Sequence, residues 1–391
     1  MRRLTGHVQH FPWGSTDEIP AILGQEPDGT AWAEYWLGAH PGGPTFLDNG
    51  KTLDEELRDH PSLVGAATET AFGGRLPYLL KILSAASPLS LQAHPTRDQA
   101  EAGYARESLL GLANDDPRRS YKDDWPKPET VVALTRFEGL LGFRDPQLTA
   151  GLFESLGVED ALASVIGPLR VRSDVAALQE VFLDVLSLDE RRHLVDVVLA
   201  AAVELLDAPG ELGEFARTAV ELDEHFPGDP GILAALLMNR FQLQPGESVS
   251  LEAGMMHAYL RGTCIEIMAN SDNVMRGGLT RKHIDVDGLL QVVDFTPRLP
   301  HIGLPEGGDG VFVYPTPFPE FELWLVSPCD HTALPMPRID SGRIALVTSG
   351  EFRLDGETSL ELTSGEAVFL AADEAVAVNG SGQLFLAASG A

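Results

Sequence analysis

The feature that most constrains this chain is a change of periodicity, from short β-type runs to helical spacing and back again. Residues 1 to about 145 mix runs such as Leu76–Leu83 and Leu89–His94 with many Gly and Pro breaks, the texture of strands between turns. From about 146 to 240 apolar residues recur at three- and four-residue steps, as in Asp174–Leu186. A second helix is expected from Asp189 to Leu206, its first turn acidic as a helix start prefers. Phe226-Pro227-Gly228-Asp229-Pro230-Gly231 then breaks the chain before one more short helix. From about Gln242 strands return, with Gln244-Pro245-Gly246-Glu247 a turn, Ser248–Leu251 a strand and Glu252-Ala253-Gly254 a second turn. Beyond 310, Arg343–Val347, Glu351–Leu354 and Ala367–Leu370 read as separate strands divided by Ser-Gly and Asp-Gly turns. Short strands with regular turn signals argue a sandwich or jelly roll. The expected fold is mainly β with a helical insertion, without internal repeats or low-complexity linkers.

Composition narrows the function classes. A chain of 391 residues fits about two or three domains, and 44% hydrophobic with 22% charged residues is ordinary for a globular protein with a sizeable core. The 28 basic and 58 acidic residues give a formal net charge of -30. Such a surface repels nucleic acid and anionic membranes, so neither is expected as a partner. It also repels a phosphorylated ligand at long range, which would therefore need a locally basic pocket. Cys264 and Cys329 are too few for a disulfide framework or a thiolate zinc site, so any metal must be held by nitrogen and oxygen. The start, Met1-Arg2-Arg3-Leu4-Thr5-Gly6-His7, has no apolar run of the signal-peptide kind. The most apolar helical stretch, Val197–Val203, lies between Asp196 and Glu204 and is too short to span a bilayer. A cytoplasmic location is expected.

Three pieces could build a metal site. On a strand, Ser90, Gln92 and His94 share one face while Leu91 and Ala93 point the other way, and Pro95 ends the run. A solvent-facing polar edge would give the same pattern. In Lys127-Pro128-Glu129 the proline stiffens the backbone and can present Glu129 rigidly, although acidic residues beside proline are also common in surface loops. The third piece is Gly246–His257, in which a strand and a glycine turn precede His257, much as cupin barrels place a metal-binding His. A core histidine with one hydrogen bond is the competing reading. Joined, the pieces supply two imidazoles, one carboxylate and one amide oxygen, a set that zinc accepts. An iron triad could be built from the same residues, with Gln92 then occupying a position that oxygen chemistry would want open.

At this point the chain resembles the type I phosphomannose isomerases, zinc enzymes of the cupin superfamily. The resemblance spans nearly the whole length. Gln9-His10-Phe11-Pro12-Trp13-Gly14 and Ala33-Glu34-Tyr35-Trp36-Leu37-Gly38-Ala39-His40-Pro41 are similar to two family phrases. Leu89–Pro95 and Lys127-Pro128-Glu129 match the first three zinc ligands. The most specific phrase runs from Ile265 to Lys282 and contains Met268-Ala269-Asn270-Ser271-Asp272-Asn273-Val274 and Arg276-Gly277-Gly278-Leu279-Thr280-Arg281-Lys282. The family often has a His just before Lys-Pro-Glu, where this chain has Trp125-Pro126, so a His proton carrier does not transfer from that position.

The resemblance implies two cupin-type jelly-roll barrels plus a helical domain. Residues 1–145 with 241–310 would form the catalytic barrel, 146–240 the helical insertion and 311–391 a second barrel, whose only early His is His331 and which is expected to be metal-free. It implies one zinc ion on Gln92, His94, Glu129 and His257, in a pocket lined by Trp13, Glu34, Lys81, Ser90, Lys127, Tyr259, Glu266, Asp272, Arg276 and Lys282. The implied activity interconverts mannose 6-phosphate and fructose 6-phosphate by a monomer, within carbohydrate metabolism and GDP-mannose biosynthesis. Such chemistry needs a base, an oxyanion stabiliser and a grip on phosphate. Glu266, Asp272 and Lys127 are the candidate proton carriers, and Arg276 with Lys282 the phosphate grip, supported by Lys81 and Ser90. A salt bridge from Arg276 to Asp272 is the plain alternative. Other readings are a cupin that binds or senses a sugar without turnover, an iron-dependent oxygenase, and a bifunctional protein with a guanylyltransferase part, for which no glycine-rich nucleotide segment is found.

Overall fold

The computed structural model describes residues 1–172, 174–187, 192–328 and 333–391. Asp189, where the second helix was expected to start, and Cys329 and His331 lie outside the described residues. The architecture is mixed rather than mainly β: two antiparallel sheets and a substantial helical component. Helices also occur in the front segment, at Leu53–Asp59, Ala66–Phe72 and Arg97–Leu109, where only β-type runs were expected. The last of these buries only Ala100, Gly103 and Glu107, so it carries no apolar stripe for a periodicity argument to find. Its start is instead set by a capping box between Thr96 and Gln99.

The first sheet has eleven strands and turns on one long strand, His257–Ala269. Its second half lies between Tyr78–Ala85 and Glu129–Ala133, with Glu266 directly opposite Lys81 and Met268 opposite Glu129. Its first half pairs with Phe137–Phe143 and with Gln92–Ala93, where His257 stands opposite Gln92. Glu34–Gly38 follows on the outer side of Tyr78–Ala85. The expected strand Leu89–His94 is reduced to Gln92–Ala93. Its backbone is satisfied by turns from two neighbours, Leu89 N–H donating to Tyr259 and Leu91 N–H to Gly278, so no continuous ladder forms. The alternation survives all the same. Leu91 and Ala93 are fully buried under the helices, whereas Ser90 and Gln92 face a cavity.

The second sheet has ten strands, and the N-terminal strand Arg2–Thr5 belongs to it by pairing with Ala367–Leu370. Arg343–Val347 and Glu351–Leu354, read as two strands, form one strand, Arg343–Asp355. Ser349-Gly350 is not a turn: both residues stay in the ladder opposite Gln383 and Gly382, and the only irregularity is a bulge at Thr348, where the partner Ala377–Ala388 shifts register. One apolar cluster joins the two sheets through Leu4, Tyr78, Leu80, Ile344 and Phe369, and the Tyr78 hydroxyl donates to Gly342 at 2.9 Å. The helical segment, Pro146–Leu156 through Gly231–Ala235, shares a core with Leu140, Phe143 and Ala258 of the first sheet and with Met256 just ahead of its long strand. Fully burying each such large side chain contributes roughly 1.5–3 kcal/mol. Helices and sheet thus fix the site between them. Among the described residues no helix is long and apolar enough to cross a membrane.

Candidate metal centre

His94, Glu129 and His257 meet at the floor of a cavity of about 520 Å³, with one ligand-type atom of each within 4.8 Å of the others. Chain chemistry brings each one there. Gly254 takes a positive φ of 81° in the turn before His257, and a Cβ there would meet the Val292 carbonyl at 2.9 Å. Its N–H donates to the His94 carbonyl at 2.8 Å, which ties two of the three segments together. His94 Nδ1 faces the Asn273 carbonyl at 2.7 Å and His257 Nδ1 faces the Met255 carbonyl at 3.0 Å. A carbonyl can only accept, so both Nδ1 atoms carry the proton and both Nε2 atoms present a lone pair. Those two Nε2 atoms are buried and have no aligned hydrogen-bond partner among the described residues, although Glu129 lies 3.2 and 3.6 Å from them. Two bare imidazole nitrogens aimed at one carboxylate form a donor set for a cation.

Charge surrounds this floor. Burial alone would push the Glu129 pKa up, but the Lys127 ammonium leads the opposing effects, and the carboxyl is held well below the usual carboxylate range. Lys127 Nζ is 3.1 Å from Glu129. Burial depresses His257 to about 4 and lowers His94 as well, so both rings stay neutral near pH 7. The Tyr259 hydroxyl lies between Glu129 and Glu266, at 3.1 and 3.2 Å. Behind it Lys81 is pinned between Glu266 at 2.8 Å and Glu34 at 3.3 Å, and Trp36 donates to the far oxygen of Glu34. Burial raises the Glu266 pKa, and the nearby carboxylates of Glu129 and Glu34 add to that against the pull of Lys81.

The sequence-derived residues mostly converge. Trp13, Glu34, Lys81, Ser90, Gln92, Lys127, Glu129, Tyr259, Glu266, Arg276 and Lys282 all line this cavity, with His94 and His257 buried beneath it. Asp272 does not. It lines the adjoining space, and its carboxylate faces His40 Nε2 at 3.4 Å. Arg276 makes no salt bridge to it or to any other carboxylate among the described residues.

Several residues went unnoticed in the sequence. Asn273 and Ser271 are fully buried and clamp the segment ahead of Lys127. Asn273 Nδ2 donates to the carbonyls of Asp123 and Trp125, and the Ser271 hydroxyl to the Asp123 carboxylate at 2.8 Å. Since Asn273 also fixes the His94 tautomer, the phrase around Asp272 holds two ligand segments in place. His225, Phe226, Thr280 and Arg281 complete the rim. The helical segment thus reaches the cavity through His225, at the end of the helix Gly210–His225, which no periodicity could reveal.

Comparison with known proteins agrees with this geometry. The family model for the catalytic domain of type I phosphomannose isomerase matches residues 1–146. Mannose-6-phosphate isomerase of Escherichia coli (strain K12) is 34% identical over 396 residues, covering 98% of each chain. The enzyme of that name from Rattus norvegicus is 32% identical, covering 94% of this chain and 93% of its own. A crystal structure of mannose 6-phosphate isomerase bound with zinc and yttrium superposes with a TM-score of 0.90 at 31% identity, covering 100% of this chain and 99% of that one. The chain belongs to the type I phosphomannose isomerase family.

Proposed function

We propose that this protein is a zinc-dependent aldose–ketose isomerase that interconverts mannose 6-phosphate and fructose 6-phosphate through an enediol. The observation that carries the reading is the pair of buried, unpartnered imidazole nitrogens on Glu129, at the floor of a cavity whose rim holds cations without carboxylates. His94, Glu129 and His257 would hold the ion, and Gln92, placed opposite His257 and Arg276 in the ladder, would add an amide oxygen. When bound, zinc supplies Lewis-acid polarisation of the sugar carbonyl.

The other residues take roles from where they stand. Arg276 and Lys282 grip the phosphate, a planar fork beside a point charge. Trp13, backed by Phe11 at 5.7 Å, offers an apolar wall for the sugar, while Ser90, Glu34 and Lys81 hydrogen-bond its hydroxyls. The Glu266 carboxylate carries the proton from C2 to C1, because its raised pKa makes it a stronger base than an ordinary glutamate. Tyr259 orients it by a hydrogen bond, and Lys127 holds Glu129. Asp272, turned toward His40, supports the edge of the site rather than the reacting carbons. The two sheets are read as cupin-type barrels and the chain as a cytoplasmic monomer, divided at 1–145 with 241–310, 146–240 and 311–391, except that Arg2–Thr5 and Phe46–Leu47 cross into the second sheet.

A coupled assay converting mannose 6-phosphate to fructose 6-phosphate tests the proposal. Turnover that disappears with chelator and returns with zinc is expected. Binding of mannose 6-phosphate without turnover by the zinc-loaded protein would instead establish a sugar-binding cupin.

A further inference from the structure

The chain carries 58 acidic and 28 basic residues, so a basic side chain is expected to find a carboxylate. Among the described side chains nearly all do, or else they hydrogen-bond a carbonyl or lie over an aromatic ring, as Arg119 and Arg75 do. Three have none of these partners: Arg276, Arg281 and Lys282. All three line the cavity above the metal centre. Arg276 is half-buried, and burial lowers its pKa with no carboxylate to compensate. Burial and the Arg276 charge lower Lys282 as well, and Arg281 stands exposed on the same rim. Like charges gathered on one rim favour an anion between them.

The backbone aims them there. Gly278 has φ 126° and Leu279, a residue with a side chain, has φ 53°. That reversal is held by the helical segment. A Cβ on Gly231 would meet Leu279 N at 2.5 Å, and Asp229 accepts from Leu279 N–H at 3.4 Å. Leu279 is buried as an anchor, and Thr280 Oγ1 accepts from Lys282 N–H at 3.1 Å, closing a tight turn. Residues 280–282 therefore face the cavity.

We propose that Arg281 is a third phosphate-binding cation beside Arg276 and Lys282, and sets the affinity of this chain for phosphorylated over unphosphorylated sugar. The inference rests on the isomerase reading above. A phosphate dianion offers enough acceptor oxygens for two guanidinium forks and an ammonium. Because Arg281 grips the end of the sugar remote from the reacting carbons, it acts equally on bound substrate and transition state. It therefore affects KM and not kcat.

The test uses the zinc-loaded full chain and Arg281→Gln, Arg281→Lys and, as a charge control, Arg353→Gln. Arg281→Gln should raise KM for mannose 6-phosphate and the inhibition constant of inorganic phosphate together, by roughly three- to tenfold, with kcat within about twofold. Arg281→Lys should recover most of the loss, and Arg353→Gln should change neither constant. Unchanged KM and unchanged phosphate inhibition in Arg281→Gln would overturn the role, as would an equal change in Arg353→Gln. If the wild type shows no isomerase turnover, calorimetric binding of mannose 6-phosphate to wild type and Arg281→Gln still decides it. Equal affinity then refutes the role, and weaker binding supports it.

Discussion

The two sheets are built from similar strand-and-turn sequence but spend their interiors differently. In the first, Tyr78–Ala85 and His257–Ala269 bury Lys81, Glu266 and His257 among apolar neighbours, and Glu34 and Glu129 join them from adjacent strands. In the second, the interior is apolar except for a few groups, of which Arg343 is the largest. Arg343 is held by three backbone carbonyls, of Pro337, Ala371 and Glu374, and has no carboxylate partner among the described residues. Burying several opposed charges costs desolvation that their mutual attraction only partly offsets. A fold that needed nothing but stability would fill the first sheet as it fills the second. The difference marks the first sheet as the chemical one and the second as its support.

The comparison can be broken by substitution. His257→Ala should give the largest effect, lowering turnover by roughly a thousandfold or more together with loss of the metal. A variant that purifies with a full zinc equivalent by elemental analysis would remove His257 from the ligand set. Arg276→Ala should lower kcat/KM by about a hundredfold while zinc content stays intact, since a charge-assisted phosphate contact is lost without touching the floor. Near-normal kinetics would exclude it from the phosphate grip.

Lys81→Met leaves Glu266 and Glu34 buried without their cation. It should cost about 3–5 kcal/mol in urea unfolding and also reduce turnover. Arg343→Met, its counterpart in the second sheet, should cost about 2–3 kcal/mol by orphaning carbonyls yet leave kcat unchanged. A fall in kcat for Arg343→Met would show that the second sheet does more than support.

The smallest effect concerns pH in chelated protein. Burial depresses His257 from 6.5 to about 4 in the fold. Between those values the unfolded chain binds a proton that the folded chain does not, so stability is present above 6.5 and is lost as pH falls toward 4. Glu129, held well below 4.5, continues the loss in the same direction below that pH. Urea midpoints that rise on acidification across this window would contradict the assignment of neutral buried rings.

How legible the site was varied by residue. The shared face of Ser90 and Gln92 could be read from strand alternation and the stiffness around Glu129 from its proline, because both are local properties, whereas the ligand set came from the family resemblance. Asn273 could not, since its value lies in a carbonyl given to His94 and amide donors given to a segment 150 positions earlier. Helix Arg97–Leu109 was invisible for lack of an apolar stripe, and Ser349-Gly350 imitated a turn although both residues continue the ladder just past a bulge at Thr348, because glycine serves turns and strands alike.

The sequence by itself determined the chemistry available here: nitrogen and oxygen ligands without thiolates, a helical segment between strand-rich ends, and a basic phrase in an acidic chain. Those follow from residue type and short-range period, which require no knowledge of partners. Only the tertiary structure decided that Arg276 pairs with no described carboxylate, that Asp272 turns to His40, and that His225 and Arg281 reach the same cavity. Each of those depends on which distant segments meet, and meeting is set by register and packing across the whole core.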